Sequence, residues 1–144
     1  MAEDFKKILV GVDDSPDAIS AFQYAIHRAK ADGSELIIVS VLESDEMNVY
    51  QALTKDYVHG ERAELEEHLH KYVDLAQKAG IAQVRGVIAE GDPGEEIVKT
   101  VIPKYQPDLL IIGAKADKGI AKLMGSQATY MVKHARISVM VIRD

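Results

Sequence analysis

Apolar residues in this chain gather into five short runs separated by stretches with helical spacing. Residues 6–12 (KKILVGV), 35–42 (ELIIVSVL), 83–89 (QVRGVIA), 108–112 (DLLII) and 138–142 (SVMVI) are rich in Val, Ile and Leu and short enough to be strands. The third run is more polar and reads as an edge. Between the runs, apolar residues recur every three or four positions, which puts them on one side of a helix. One stripe is Ala18, Ala21, Phe22, Ala25, Ile26 and Ala29, and a second, over residues 57–79, is Leu65, Leu69, Tyr72, Val73 and Ala76. A third is Ile97, Val98, Val101, Ile102 and Tyr105. The fourth, over residues 126–134, is Ala128, Met131 and Val132, with Ala135 just beyond.

The punctuation agrees with these elements. Ser15 suits an N-cap and Pro16 the first helical position, and Asp32-Gly33-Ser34 ends that helix. Gly80 suits the residue after the second helix. Asp92, Pro93 and Glu95 make an N-cap, a first helical residue and a capping-box position. Pro107 forces extended backbone before the fourth strand. Strict β-α alternation predicts an α/β domain with a parallel sheet and helices on both faces. The 144 residues suggest one domain, residues 1–144, without internal repeats.

An open α/β sheet binds ligands beyond the carboxyl ends of its strands, where the winding reverses. Two loops at strand ends carry candidate chemistry: Asp13-Asp14-Ser15 after the first strand, and the loop that follows Gly113 after the fourth. If those strands are neighbours, the loops face each other. Carboxylates on one wall would take hydroxyls or a base amino group, and backbone N–H groups on the other would take phosphates. Each residue also has a plainer reading. Asp13 suits an Asx-turn, and Ser126 suits an N-cap for the last helix.

Charge sharpens this picture. The chain carries 17 basic and 23 acidic residues, net −6, which argues against coating nucleic acid or anionic membrane. Residues 113–136 run the other way, with Lys115, Lys118, Lys122, Lys133 and Arg136 against Asp117 alone, a local +4. That suits an anion-receiving loop or a solvated helix face. The absence of cysteine excludes thiolate metal sites, thiol catalysis and disulfides, and fits a reducing compartment. No apolar h-region and no spanning run is visible, so a cytoplasmic location is expected. The five histidines lack the i, i+4 pairing of zinc helices, and a Glu64–His68 helix contact is expected instead. Neither a nucleophile elbow nor a Gly-x4-Gly-Lys-Ser/Thr loop is present, so no catalytic residue is assigned. Asp13 and Asp14 could hold Mg²⁺ beside a triphosphate.

The chain resembles the universal stress proteins. The resemblance spans KKILVGVDDS, IIVSV, GDPGEEIV, PDLLIIGA and GSQATYMVKHARISVMVIR. It implies an adenine nucleotide α-hydrolase-like fold, an open five-stranded parallel sheet in the order 3-2-1-4-5. It also implies a homodimer paired through the last strand, whose flat apolar edge invites pairing. Many members of the family bind ATP through Gly-x2-Gly-x9-Gly-Ser/Thr after the fourth strand. Here Gly113 and Gly125-Ser126 match, Ala116 replaces the middle glycine, and 8 residues separate it from Gly125. By family position Asp13 would contact the adenosine part and Val41 the adenine through its backbone. Gly113, Gly125 and Ser126 would hold phosphates, Gln127 would add an N–H, Gly11 and Val12 would line the wall, and Ala116 would fill a site position without glycine's freedom. The expected ligand is ATP or a related adenine nucleotide, with or without Mg²⁺, in a regulatory stress protein. Slow hydrolysis of that ligand is the most activity expected. The acidic residues 43–56 form a loop or a lid. A nucleotide-independent dimeric interaction module is the alternative.

Overall fold

The computed structural model describes residues 4–43, 55–114 and 124–143. The chain runs β1 (Lys7–Gly11), α1 (Pro16–Asp32), β2 (Glu35–Leu42), α2 (Lys55–Lys78) and β3 (Val84–Glu90). It continues through α3 (Pro93–Glu96), a π-helical turn (Ile97–Val101), α4 (Ile102–Tyr105), β4 (Leu109–Gly113), α5 (Ser126–His134) and β5 (Ser138–Ile142). The strands form one parallel sheet in the order β3-β2-β1-β4-β5. The predicted order and alternation are therefore present, and the polar third run is an edge strand.

The central strands β1, β2 and β4 are apolar because both faces of the sheet are covered there, and alternate residues point to opposite sides. Ile8, Val10, Leu36, Ile38, Leu109 and Ile111 pack with Ala21, Phe22 and Ala25 of α1 and Leu69 and Ala76 of α2. Their strand neighbours Leu9, Ile37, Val39, Leu110 and Ile112 pack with Ile97, Val101, Ala128 and Met131 on the opposite face. The stripes read from the sequence thus supply two cores, one on each face.

Local signals set the helix ends. Ser15 accepts from the Ala18 N–H at 3.2 Å, and Asp92 from the Glu95 N–H at 3.3 Å. Gly33 closes α1 in the left-handed region at φ 70°, where glycine carries no Cβ penalty. The third predicted helix is interrupted: its centre is a π turn, and the Ile102 N–H donates to the Ile97 carbonyl. Pro103 accounts for this. It lacks an N–H, and its ring presses on the carbonyl four residues earlier, that of Lys99.

At the amino ends of the strands, Asp108 accepts from the backbone N–H groups of Lys6 at 2.8 Å and Lys7 at 2.9 Å. This clips β4 to β1 at the end opposite the strand-end loops. No helix among the described residues is long and apolar enough to cross a membrane.

Candidate functional site

β1 and β4 are hydrogen-bonded neighbours, with Leu9 opposite Leu110 and Val10 opposite Ile111. The chain winds outward from β1 to β2 and β3, then crosses back to β4 and β5, so the reversal lies between β1 and β4. A cleft of about 460 Å³ opens at that point, beyond the carboxyl ends of the strands. Gly11, Val12, Asp13, Val41, Gly113, Gly125, Ser126 and Gln127 all border it. Ala116 lies outside the described residues, as do Lys115, Asp117, Lys118, Lys122 and residues 44–54 of the acidic segment.

Each wall has its own construction. On the β1 side, Asp13 Oδ1 accepts from the Ser15 N–H at 3.0 Å and the Ser15 hydroxyl at 2.6 Å. The Asx-turn is therefore formed, and it shapes the start of α1. On the β4 side, the Gly125 N–H donates to the Ala114 carbonyl at 2.8 Å, and the Gly125 carbonyl accepts from Thr129 at 3.0 Å. Gly125 is the N-cap of α5 and Ser126 its first residue, with no side-chain cap. Ser126 is thus not the N-cap the sequence suggested. The register of α5 begins one residue earlier because the Gly125 carbonyl already accepts the first helical bond. Gly125, Ser126, Gln127 and Ala128 border the cleft, so the uncapped first turn of α5 lies at its edge with N–H groups available as donors.

Two predicted residues have structural duties as well. A Cβ at Gly113 would lie 2.6 Å from the Asp17 carbonyl carbon and 2.7 Å from the Ala18 nitrogen. Glycine is needed there so that α1 can cross close over the end of β4. The Gln127 side chain accepts from the Gly94 N–H at 2.7 Å and donates to Asp92 Oδ1 at 2.9 Å, which joins α5 to α3.

Sequence reasoning missed the α2 wall. Leu65, His68, Leu69 and Tyr72 border the cleft, and two of them converge on Asp14. The Tyr72 hydroxyl donates to Asp14 Oδ1 at 2.5 Å, and His68 Nδ1 lies 3.0 Å from Asp14 Oδ2. The expected Glu64–His68 contact gives way to this one because α2 turns His68 toward the start of α1. Asp14 adopts φ 63°, unusual for a non-glycine residue. Burial, then the hydrogen bond and charge of Asp14, raise the Tyr72 pKa well above the ordinary phenol value, so Tyr72 stays a donor. The i, i+4 spacing of His68 and Tyr72 was the available signal. Among the described residues, no group of three His, Cys, Asp or Glu side chains is arranged to hold a metal ion.

The profile of the universal stress protein family matches residues 4–143. The chain belongs to the universal stress protein family. A protein of Staphylococcus haemolyticus (strain JCSC1435) named for the same family is 29% identical over 140 residues, 96% of this chain and 85% of the relative. The universal stress protein UspA from Lactobacillus plantarum superposes with a TM-score of 0.84 at 24% identity, covering 99% of this chain and all of that one. Universal stress proteins with the same fold have been solved with nucleotides. One, from Archaeoglobus fulgidus, holds dAMP (TM-score 0.69, 21% identity, 96% and 98% coverage). Another, from Arabidopsis thaliana, holds AMP (TM-score 0.70, 20% identity, 96% and 91% coverage). A third is in complex with cAMP (TM-score 0.74, 21% identity, 97% and 98% coverage). In this universal stress protein the cleft offers hydrogen-bonding carboxylates on the α1 and α2 side and helix N–H donors on the α5 side. Such an arrangement can hold a polar ligand carrying an anion at one end.

Proposed function

We propose that this universal stress protein domain binds an adenine nucleotide in the cleft between the β1 and β4 loops, as a regulatory ligand. One observation carries the reading: at the switch point, Asp13 and Val41 share a cleft with Gly125, Ser126 and an α5 N-terminus that has no side-chain cap. Family position supports the same division of roles. Asp13 and Val41 take the adenosine part, and Gly113, Gly125, Ser126 and the Gln127 N–H take phosphate, with Gly11 and Val12 along the wall and Ala116 at the position of the family's middle glycine. The nucleotide-bound relatives support an adenine ligand. Among the phosphate forms, ATP with or without Mg²⁺ is the family expectation. Asp14 has both carboxylate oxygens engaged and would have to release Tyr72 or His68 to ligate the ion. Isothermal titration of nucleotide-free protein with AMP, ADP and ATP, with and without Mg²⁺, tests the reading. Absence of heat at millimolar ligand, with folded protein, overturns it.

The same domain acts as a cytoplasmic homodimer paired through β5. That strand bonds to β4 on one side, and Val139, Met140, Val141 and Ile142 remain only partly covered. An apolar edge of this kind favours pairing with a second copy. Light scattering at micromolar concentration should give twice the mass of the chain, and a monomer refutes the pairing. If dimerisation persists while every nucleotide fails to bind, the domain is a nucleotide-independent interaction module.

A further inference from the structure

The α2 wall carries a residue that the phosphate-loop reading leaves without a role. We infer that His68 is a ligand-contact residue whose Nε2 accepts a hydrogen bond from the nucleoside, and that Asp14 and Tyr72 are its positioning residues. This inference rests on the nucleotide reading and adds a specificity determinant to it.

The geometry is directional. Asp14 Oδ2, an acceptor when ionised, lies 3.0 Å from His68 Nδ1, so the proton sits on Nδ1. In the neutral ring Nε2 is then an acceptor, on the side of the imidazole away from Asp14. Tyr72 donates to the other carboxylate oxygen at 2.5 Å, which orients the carboxylate toward His68. Tyr72 is held in turn by an edge-on contact with Phe22, ring centroids 4.8 Å apart. His68 borders the cleft together with Val41 and Asp13, the residues assigned to the nucleoside, and its side chain is 53% exposed. An acceptor at that end selects a donor on the ligand, either a sugar hydroxyl or the base amino group. A merely structural pair would staple α2 to α1 and leave ligand choice untouched. The left-handed backbone at Asp14 indicates that the surroundings hold this carboxylate in place against a local penalty.

His68→Asn separates the two roles, because the Asn amide can reproduce the Nδ1 donor to Asp14 while offering nothing at Nε2. Affinities for AMP, 2′-deoxy-AMP, 3′-deoxy-AMP and IMP are compared in wild type and in H68N, with thermal unfolding alongside. Wild type should bind AMP about five- to tenfold more tightly than the one analogue that lacks the recognised donor. The identity of that analogue tells a sugar hydroxyl from the base amino group. H68N should bind AMP and that analogue equally while keeping its melting temperature, and Tyr72→Phe should show a partial loss of the same discrimination. The inference is overturned if H68N preserves the wild-type ranking, or if it weakens all four ligands alike while the melting temperature falls. If wild type binds none of the four, the nucleotide reading itself falls and takes this one with it.

Discussion

Replacing Gly113 with alanine tests why glycine stands at the end of β4. The backbone there is not left-handed, so alanine meets no dihedral penalty. The cost is purely steric. A new Cβ would sit 2.6 Å from the Asp17 carbonyl carbon, 2.7 Å from the Ala18 nitrogen and 2.8 Å from the Asp17 Cβ, where ordinary contact begins near 3.4 Å. Two of these are backbone atoms in the first turn of α1, which cannot turn aside as a side-chain tip does. Relief requires that turn to move by most of an ångström, and Ala18 is 5% exposed and packed. Overpacking of this kind costs typically about 1–3 kcal/mol, and the backbone clash points to the upper half, about 2–3. Near 3 °C per kcal/mol for a domain of this size, the melting temperature should fall by roughly 6–9 °C. In urea the midpoint should drop by about 1 M at an ordinary denaturant slope. A Gly113→Ala variant within about 0.5 kcal/mol of wild type would refute the close crossing of α1 over β4. It would return Gly113 to a purely ligand-directed role.

Three further perturbations follow from contacts already described. Asp108→Ala removes the acceptor of the Lys6 and Lys7 N–H groups and should cost about 1–3 kcal/mol in equilibrium unfolding. A near-neutral result would mean that water replaces the carboxylate. Tyr72, with its pKa raised above the ordinary 10.0, should be among the last tyrosines to ionise in an absorbance titration, and Tyr72→Phe should remove that late step. The folded state keeps this proton after the unfolded chain has lost it, so the Tyr72 contribution is full below about pH 10 and declines as pH rises beyond it. Unchanged alkaline stability in Tyr72→Phe relative to wild type would contradict this. Gln127→Ala leaves the Gly94 N–H without its acceptor and should destabilise by about 1 kcal/mol or more, read by urea unfolding. A loss below a few tenths would show that the α3–α5 link is dispensable.

Most of the fold is legible in the chain because its signals are local. β2 and α5 fall where the apolar runs and stripes place them, and Ser15 and Asp92 cap as short-range chemistry predicts. Three features escaped for different reasons. The π turn answers Pro103, a residue that the apolar stripe Ile97, Val101 and Ile102 outweighs on simple inspection. The convergence on Asp14 joins residues 54 and 58 positions apart in sequence, and it depends on how α2 rotates against α1. Helical spacing shows that His68 and Tyr72 share a face, but the tertiary packing decides what that face meets. Gly113 reads in the sequence as a phosphate-holding position at the strand end, whereas the packing also demands glycine there for closeness to α1.

That last distinction bears on how the cleft works. The first turn of α1 is held from three directions: from below by the crossing at Gly113, at its start by the Asp13–Ser15 bonds, and from the side by Asp14 with Tyr72 and His68. On this wall the polar groups already hydrogen-bond within the protein and the charge is negative, which suits neutral donors on a ligand and disfavours phosphate. The opposite wall is the start of α5, where helical N–H groups have no side-chain cap and the helix dipole favours an anion. Under the proposed function, these unequal walls would orient a nucleotide with base and sugar toward α1 and α2 and phosphate toward α5. The asymmetry arises from packing needs on one side and missing caps on the other. It persists whatever residue stands at position 116. Under the proposed function, replacing the middle glycine of the family pattern would then act mainly on the reach of the phosphate chain and leave the placement of the nucleoside unchanged.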